Sequence, residues 1–343
     1  MGEALDLARA RVLVTGGAGF IGSNFVHHLR RRFPESHLTV LDKLTYAGNL
    51  ANLEAMQGDP RYHFVKGDIC DGPVVAEAMA GCDVVVNFAA ETHVDRSIDH
   101  AEDFGLTDTY GVWVLLEEAR RSKIRRFLQI STDEVYGEIL TGMADEQAPL
   151  LARNPYAASK IGGDRLAYSY FATFGMPSIV TRCSNNYGPY QYPEKLIPLF
   201  LTNALEDKPL PVYGNGRNTR DWIHVEDHCR ALVALLEAPG VEGETFNIAG
   251  GNERSVLDIA GLILRKLGKP ESLITFVTDR PGHDRRYAID ASKLERATGF
   301  RPSVDFARGI DETIDWYLAH RSWWEDIRSG EFRHYYERMY GAR

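Results

Sequence analysis

The chain has 343 residues, enough for about two domains at roughly 100 to 200 residues each and too many for a disulfide-stapled miniprotein. Hydrophobic residues make up 44% and charged residues 25%, ordinary globular usage that excludes a disordered, collagenous or low-complexity chain. With 39 Lys and Arg against 48 Asp and Glu the formal net charge is -9, so no basic field favours nucleic acid, and an anionic small ligand would need a local cluster of arginines.

From residue 11 onward, apolar runs of strand length alternate with amphipathic stretches of helix length. Arg11–Thr15 predicts the first strand, and Thr15-Gly16-Gly17-Ala18-Gly19-Phe20-Ile21-Gly22 leads from it into a helix over Ile21–Arg32. Glycines there allow a tight turn, close approach of backbone to a pyrophosphate and close helix packing, while helix N-terminal amides face the phosphates. Leu38–Leu41 predicts the second strand, closed by Asp42 twenty residues after Gly22, where a carboxylate accepts the ribose hydroxyls of a dinucleotide. Its charge repels a 2′-phosphate, so NAD is expected rather than NADP. Tyr62–Lys66 and Asp83–Phe88 predict the next two strands. Asp68-Ile69 follows the third and brackets an adenine; Phe88-Ala89-Ala90 ends the fourth with small residues that let a cofactor lie against the backbone.

A helix over Gly111–Arg121 precedes the fifth strand, Arg126–Ser131, whose carboxyl end runs on as Ser131-Thr132-Asp133-Glu134-Val135-Tyr136-Gly137. Oxidation of an alcohol needs neither of the two carboxylates there, so they imply a second reaction. Beside a newly formed ketone a C–H becomes acidic and a carboxylate can take it, while a carboxylic acid protonates a departing hydroxyl. Mutual repulsion and burial would hold one of Asp133 and Glu134 protonated, and the backbone must bend to bring both to one side. The plainer alternative is a solvated acidic loop. At Pro155 a further helix begins, with Tyr156 and Lys160 four apart on one face. A phenol is a poor base at neutral pH; bringing it there takes about 4 kcal/mol, which a close ammonium and a positive nicotinamide ring could supply. With the glycine turn, this pair reads as hydride-transfer chemistry on an alcohol, Thr132 holding the reacting hydroxyl.

Pro177–Arg182 predicts the sixth strand. The alternation makes residues 1–183 a doubly wound, Rossmann-like parallel sheet, its strands buried on both faces and its crossovers right-handed. Beyond about residue 183, Pro and Gly punctuation predicts a smaller, interleaved α/β lobe over 184–343; Trp222–His224 and the helix Glu226–Glu237 are expected to rejoin the main sheet at about 222–240. Cys70, Cys82, Cys183 and Cys229 lack metal-site spacing and read as buried free thiols in a reducing, cytoplasmic setting, with no metal. No run of about 18 apolar residues is present, and Met1 to Asp6 has neither a basic-then-apolar leader nor Ser or Thr at position 6, so neither membrane insertion nor export nor myristoylation is expected.

Further motifs are Asp42 to Asn49, Phe88 to Ser97, Asn185-Asn186-Tyr187-Gly188-Pro189-Tyr190, Pro193 to Pro198, Arg220-Asp221-Trp222 and Arg280 to Tyr287. Together with the glycine turn, the acidic pair and the Tyr156–Lys160 pair, they make the chain resemble, from about Arg11 to Trp324, the nucleoside-diphosphate-sugar dehydratases of the dTDP-glucose 4,6-dehydratase type, within the extended short-chain dehydrogenase/reductases. The resemblance implies that Tyr156, with Lys160, takes the proton of the glucose 4-hydroxyl as hydride leaves for NAD. It makes Glu134 the base at C5 and Asp133 the acid at the C6 hydroxyl, with hydride returning to C6. It adds Lys43, Leu44, Thr45, Thr107 and Asn186 to the cofactor site. It maps a nucleotide-sugar pocket onto Thr92, Asn185, Lys195, Leu196, Pro211, Val212, Tyr213, Arg220, Asn252, Arg280 and His283. Arg220 is the candidate for the diphosphate, its alternative being a surface ion pair with Asp221. Family dimers imply a homodimer through the helices around Tyr110–Arg121 and Ala157–Phe174.

One departure stands out: the family's Asn in T-N-x-x-G is Asp108 here, an acceptor where an amide would also donate. Thr92, where Ser is common, retains the hydroxyl. Three rivals remain. A nucleotide-sugar 4-epimerase would normally lack the acidic pair; a dehydratase of UDP- or GDP-sugars would differ only in its base pocket; an NAD-binding regulator would lose Tyr156 and Lys160.

Overall fold

The structure, a computed structural model, describes residues 5–329; residues 1–4 and 330–343, which hold most of the opening stretch scanned for a leader and the end of the second lobe, lie outside the described residues. Six strands appear close to where the hydrophobic runs put them: β1 (Arg11–Thr15), β2 (His37–Asp42), β3 (Tyr62–Lys66), β4 (Val84–Asn87), β5 (Arg126–Thr132) and β6 (Ser178–Cys183). They are followed by β7 (Asn185–Tyr187), β8 (Leu210–Tyr213), β9 (Thr219–His224), β10 (Thr245–Ile248), β11 (Glu253–Ser255) and β12 (Ile274–Val277). Helices α1 (Phe20–Arg32), α2 (Gly72–Met79), α3 (Val94–Asp99), α4 (Ala101–Gly105), α5 (Val112–Arg121) and α6 (Pro155–Phe174) belong to the first half of the chain. After them come α7 (Leu196–Leu205), α8 (Val225–Glu237), α9 (Val256–Leu267), α10 (Ser292–Thr298), α11 (Phe306–Ala319) and α12 (Arg321–Ser329).

Seven strands pair in the order β10-β6-β5-β4-β1-β2-β3, and every pair is parallel. Alternation along β1 fixes the layers: Val12 and Val14 face α1 and α8, where Phe25, Val26, Leu232 and Leu236 pack, and Leu13 faces Met79, Leu115 and Ala167 on the opposite side. Two covered faces explain why the strands read as unbroken apolar runs. Phe127, fully buried in β5, would cost about 3–5 kcal/mol if cut to Ala. The exception is β3, an edge strand of this sheet, which is half-exposed.

The later segment differs from expectation in one respect. Thr219–His224 does not enter the large sheet; it pairs with β7 and β11 in a separate three-stranded sheet, and β10 is the strand that returns, beside β6. The predicted helix, α8, does cover the large sheet alongside α1. The small parallel pair β8 and β12 and helices α7, α9, α11 and α12 enclose a second core that includes Phe200, Ile263 and Trp324. Trp324 is fully buried there and Trp323 packs against the same core while donating to Asn52, so both are packing residues. Cys183 and Cys229 are buried as expected; Cys70 and Cys82 are only half-buried, and all four thiols are free.

A buried polar chain ties the carboxyl ends of three strands: Thr15 Oγ1 donates to Asn87 Oδ1 at 2.5 Å, and Asn87 Nδ2 donates to Gln129 Oε1 at 2.9 Å. These ends carry the site.

Candidate active site

A cavity of about 310 Å³ opens at the carboxyl ends of the sheet. The glycine turn forms one wall, with Gly16, Gly19, Phe20, Ile21 and Gly22 all lining it. Gly16 has φ +66°, and a Cβ on it would stand 2.6 Å from the Ala89 amide; a Cβ on Gly22 would collide with the Gly16 carbonyl. α1 starts at Gly19 without a side-chain cap, leaving its first amides for an anion. Asp42, Lys43 and Thr45 follow along the rim, then Asp68, Ile69, Phe88, Ala89, Ala90, Thr107 and Asn186. The Asp42 carboxylate is aimed by the amides of Ala18 at 2.9 Å and Leu44 at 2.8 Å. Lys43 meets Asp68 at 2.7 Å; burial alone would raise Asp68, but this contact and the Cys70 amide hold it below the usual carboxylate range. A glycine cradle, an uncapped helix start and a fixed acid at the second strand end fit an NAD molecule. Leu44 is the exception among the expected cofactor residues. Its φ of +58° carries the chain over Asp42, and its side chain packs on the core beside α1 instead of lining the cavity.

The reactive side chains share the same cavity: Thr132, Asp133, Glu134, Tyr156 and Lys160. Thr132 closes β5 and caps a one-turn 3-10 helix, Asp133–Tyr136, its Oγ1 accepting the Glu134 amide at 3.3 Å. This is the bend that brings two consecutive acids to one wall. Asn154 caps α6 through the Ala157 amide at 2.8 Å, Pro155 fills the first turn, and Tyr156 and Lys160 lie one turn apart. Lys160 Nζ donates to the Ile130 carbonyl at 2.8 Å, which anchors the ammonium on β5.

Burial, then the charge of Glu134, pushes Asp133 well above the ordinary carboxylate range, with Arg220 opposing; its Oδ2 is buried with no hydrogen-bond partner among the described residues. The surroundings of Asp133 therefore favour its protonated form. Tyr156 is also pushed well above its usual value, by burial, then Glu134 and then Asp108, with the Thr132 hydrogen bond pulling the other way. The expectation that Lys160 draws the phenol downward is corrected: in the protein alone the charges facing the hydroxyl are chiefly negative. A cationic nicotinamide is the group this pocket needs.

A second chamber of about 150 Å³ adjoins the first, the two sharing Asn185 and Glu194. Leu196, Pro211, Tyr213, Arg220, Arg280 and His283 line it, while Thr92 and Lys195 stand in the first chamber, joined by a 3.0 Å bond from Lys195 Nζ to Thr92 Oγ1. Val212 and Asn252 line neither chamber. On β8, alternation sends Pro211 and Tyr213 to the chamber and Val212 to the core. Asn252 instead bonds the Trp222 and Gly250 carbonyls. Arg220 does not pair with Asp221: its guanidinium lies 4.1 Å over the Tyr287 ring and donates to the Asp284 carbonyl at 3.1 Å, while Asp221 accepts the amides of Gly250 and Asn252. His283 is anchored on Asp279 at 2.7 Å.

Sequence reasoning did not single out Asp95, Trp222 or Glu194. Asp95 takes Arg280 at 3.2 Å, Trp222 shares the inward side of β9 with Arg220, and Glu194, its side chain fully buried, takes Arg96 at 3.0 Å. For Asp95 and Glu194 the available signal was an acid embedded in a motif already noted, immediately before a cation, Arg96 and Lys195.

Comparison with known proteins decides the family. A family profile described as GDP-mannose 4,6 dehydratase matches residues 13–313. A dTDP-glucose 4,6-dehydratase of Actinoplanes sp. is 54% identical over 92% of this chain and 99% of that protein. One from Streptomyces niveus is 52% identical over 93% of this chain and 96% of its own length. The chain belongs to the dTDP-glucose 4,6-dehydratase family. A solved member, DesIV from Streptomyces venezuelae with NAD and dTDP bound, superposes with a TM-score of 0.90 at 48% identity, covering 92% of this chain and 99% of that one. The family accounts for an acidic pair lodged between a dinucleotide cavity and a chamber lined with arginine.

Proposed function

We propose that this family member converts dTDP-glucose to dTDP-4-keto-6-deoxyglucose, using NAD as a cofactor regenerated in each turnover. The observation that carries the reading is the Asp133–Glu134 turn, set in the same cavity as Tyr156 and Lys160, with the arginine-lined chamber next door. When bound, NAD supplies the acceptor for the C4 hydride and its donor to C6. Tyr156 takes the proton of the 4-hydroxyl, held by Thr132, with the Lys160 ammonium fixed one helical turn away on the Ile130 carbonyl. Glu134 removes the C5 proton, now acidic beside the ketone, and Asp133 protonates the C6 hydroxyl so that it leaves as water. Glu134 then returns its proton to C5. The proton gained by Tyr156 balances the one lost by Asp133, so the only net loss is water.

Arg220 and Arg280 supply the cations for the diphosphate, Arg220 with its fork pre-set against Tyr287. In this reading residues 1–183 hold the cofactor and 184–343 the nucleotide sugar. Exposed Leu106, Tyr110, Trp113, Tyr168 and Phe174 on and beside α5 and α6 support a homodimer through those helices, which light scattering tests by giving twice the chain mass. The four free thiols support a reducing compartment, the cytoplasm.

Deuterium placed at C4 is the decisive tracer. It should reappear in the methyl group of the product; its loss to water overturns the scheme. UDP- and GDP-hexoses assayed in parallel test the choice of base.

A further inference from the structure

The dehydration chemistry set out above gives no role to the buried carboxyl of Asp108, yet that carboxyl touches the helix carrying the base. It lies in a π-helical turn, Leu106–Gly111, and is 2% exposed. Asp108 Oδ1 accepts the Glu91 amide at 2.8 Å, and Oδ2 accepts the Ser159 hydroxyl at 2.8 Å. Ser159 sits between Tyr156 and Lys160 on α6, its hydroxyl also 2.8 Å from the Tyr156 carbonyl oxygen. One side chain thus ties the segment after β4 to the first turns of α6. The fit is close: a Cβ on Gly163 would stand 2.6 Å from the Asp108 carbonyl oxygen, and one on Gly162 would collide with Thr109.

A hydroxyl has one proton to give. When Asp108 is ionised, Ser159 donates to its Oδ2. When Oδ2 is protonated, it donates to Ser159 Oγ, and the serine proton turns to the Tyr156 carbonyl. The carboxyl and hydroxyl are satisfied either way, so the bridge has two states that differ by one charge.

We propose that Asp108 is a positioning residue for the C4 oxidation, holding the Tyr156 end of α6 through Ser159 and opposing the phenolate by its own charge. Lys160 and Tyr156 face it from α6 and Glu91 from the segment after β4; Tyr156 in turn faces Glu134 and Cys183. Burial raises the Asp108 carboxyl to about 6, although Lys160, Ser159 and the Glu91 amide pull it down. Below that pH the residue is neutral; above it a second negative charge joins Glu134 against Tyr156. An amide at this position would mimic the protonated acid at every pH, accepting from Glu91 and donating to Ser159.

The inference rests on the dehydratase reading, and its test is the pH profile of kcat/KM for dTDP-glucose, measured with NAD-loaded parent and Asp108→Asn between about pH 5 and 9. With the opposing charge gone, the rising limb of the Asp108→Asn profile should lie lower by about half a pH unit or more. Asp108→Ser, neutral but too short to bridge, should move the limb the same way while losing rate at all pH values, and it carries the test if Asp108→Asn does not fold. Profiles that keep the parent limb, with or without a uniform loss of rate, overturn the proposal for Asp108 alone. A folded, NAD-loaded parent with no activity on dTDP-glucose overturns the dehydratase reading instead.

Discussion

The hydroxyl of Tyr287 stands 3.4 Å from Oε2 of Glu134 and 2.6 Å from Oδ2 of Asp284. Its single proton goes to the nearer carboxylate, which leaves Glu134 a lone pair for a substrate C–H. Glu134→Gln should therefore still oxidise C4 and accumulate enzyme-bound NADH, seen by absorbance, while elimination slows by about 10²-fold or more. Normal rates of 4-keto-6-deoxy product from this variant would remove Glu134 from the role of base.

Burial and the neighbouring charge of Glu134 favour the protonated form of Asp133. Asp133→Asn keeps the shape but cannot give up a proton, so loss of the C6 hydroxyl should slow by about 10²-fold or more. A substrate carrying fluoride at C6 needs less help in leaving and should recover much of that rate. Equal impairment on both substrates, compared by single-turnover product formation, would show that Asp133 acts in some other way.

At Gly16, Gly16→Ala combines a φ of +66° with a Cβ 2.6 Å from the Ala89 amide. The backbone must shift at the point where it meets the pyrophosphate. The purified variant should carry far less NAD than the parent, measured by chromatography of nucleotide released on heating, with a stability loss of about 1–3 kcal/mol. Undiminished NAD content would mean that the turn does not cradle the cofactor.

Stability should depend on pH through Glu226, which joins α8 to α1 by contacts to His28 at 2.9 Å and Arg31 at 2.8 Å. Burial alone would raise its carboxyl, but His28 and then Arg31 bring it from 4.5 down to about 2. A group lowered in the folded state stabilises above its unfolded value and loses that contribution as pH falls through the folded one. Glu226→Gln should consequently have a lower urea midpoint than the parent near neutrality, and the difference should close as pH drops from 4.5 towards 2. A gap that stays constant with pH would rule out the ionic contribution.

The large sheet is legible in the sequence because each of its first six strands is a short apolar run bounded by turn residues, and the glycine turn is legible because its spacing serves a local geometry. Val212 illustrates what is not. A motif marks the stretch Pro211-Val212-Tyr213, but only the period of the strand says which side chains reach the chamber. The same period separates Arg220 from Asp221, adjacent in sequence and opposite in space. Strand β9 carries apolar residues suited to the main sheet, and its pairing with β7 and β11 depends on contacts between distant segments that no local pattern records. The π-helical turn at Leu106–Gly111 is likewise invisible, since Asp108 and Thr109 pack there against Gly163 and Gly162, some fifty residues later in the chain.

The strand beside β6 is made about sixty residues after it. Until the ribosome reaches Thr245–Ile248, β6 offers an unpaired edge, and the buried guanidinium of Arg126 lacks its partners, the carbonyls of Leu235, Leu236 and Ala238 and the carboxylate of Glu242. At about 5–20 residues per second, the nascent chain spends several seconds in that state. Translation speed across this stretch therefore sets how long that edge stands open.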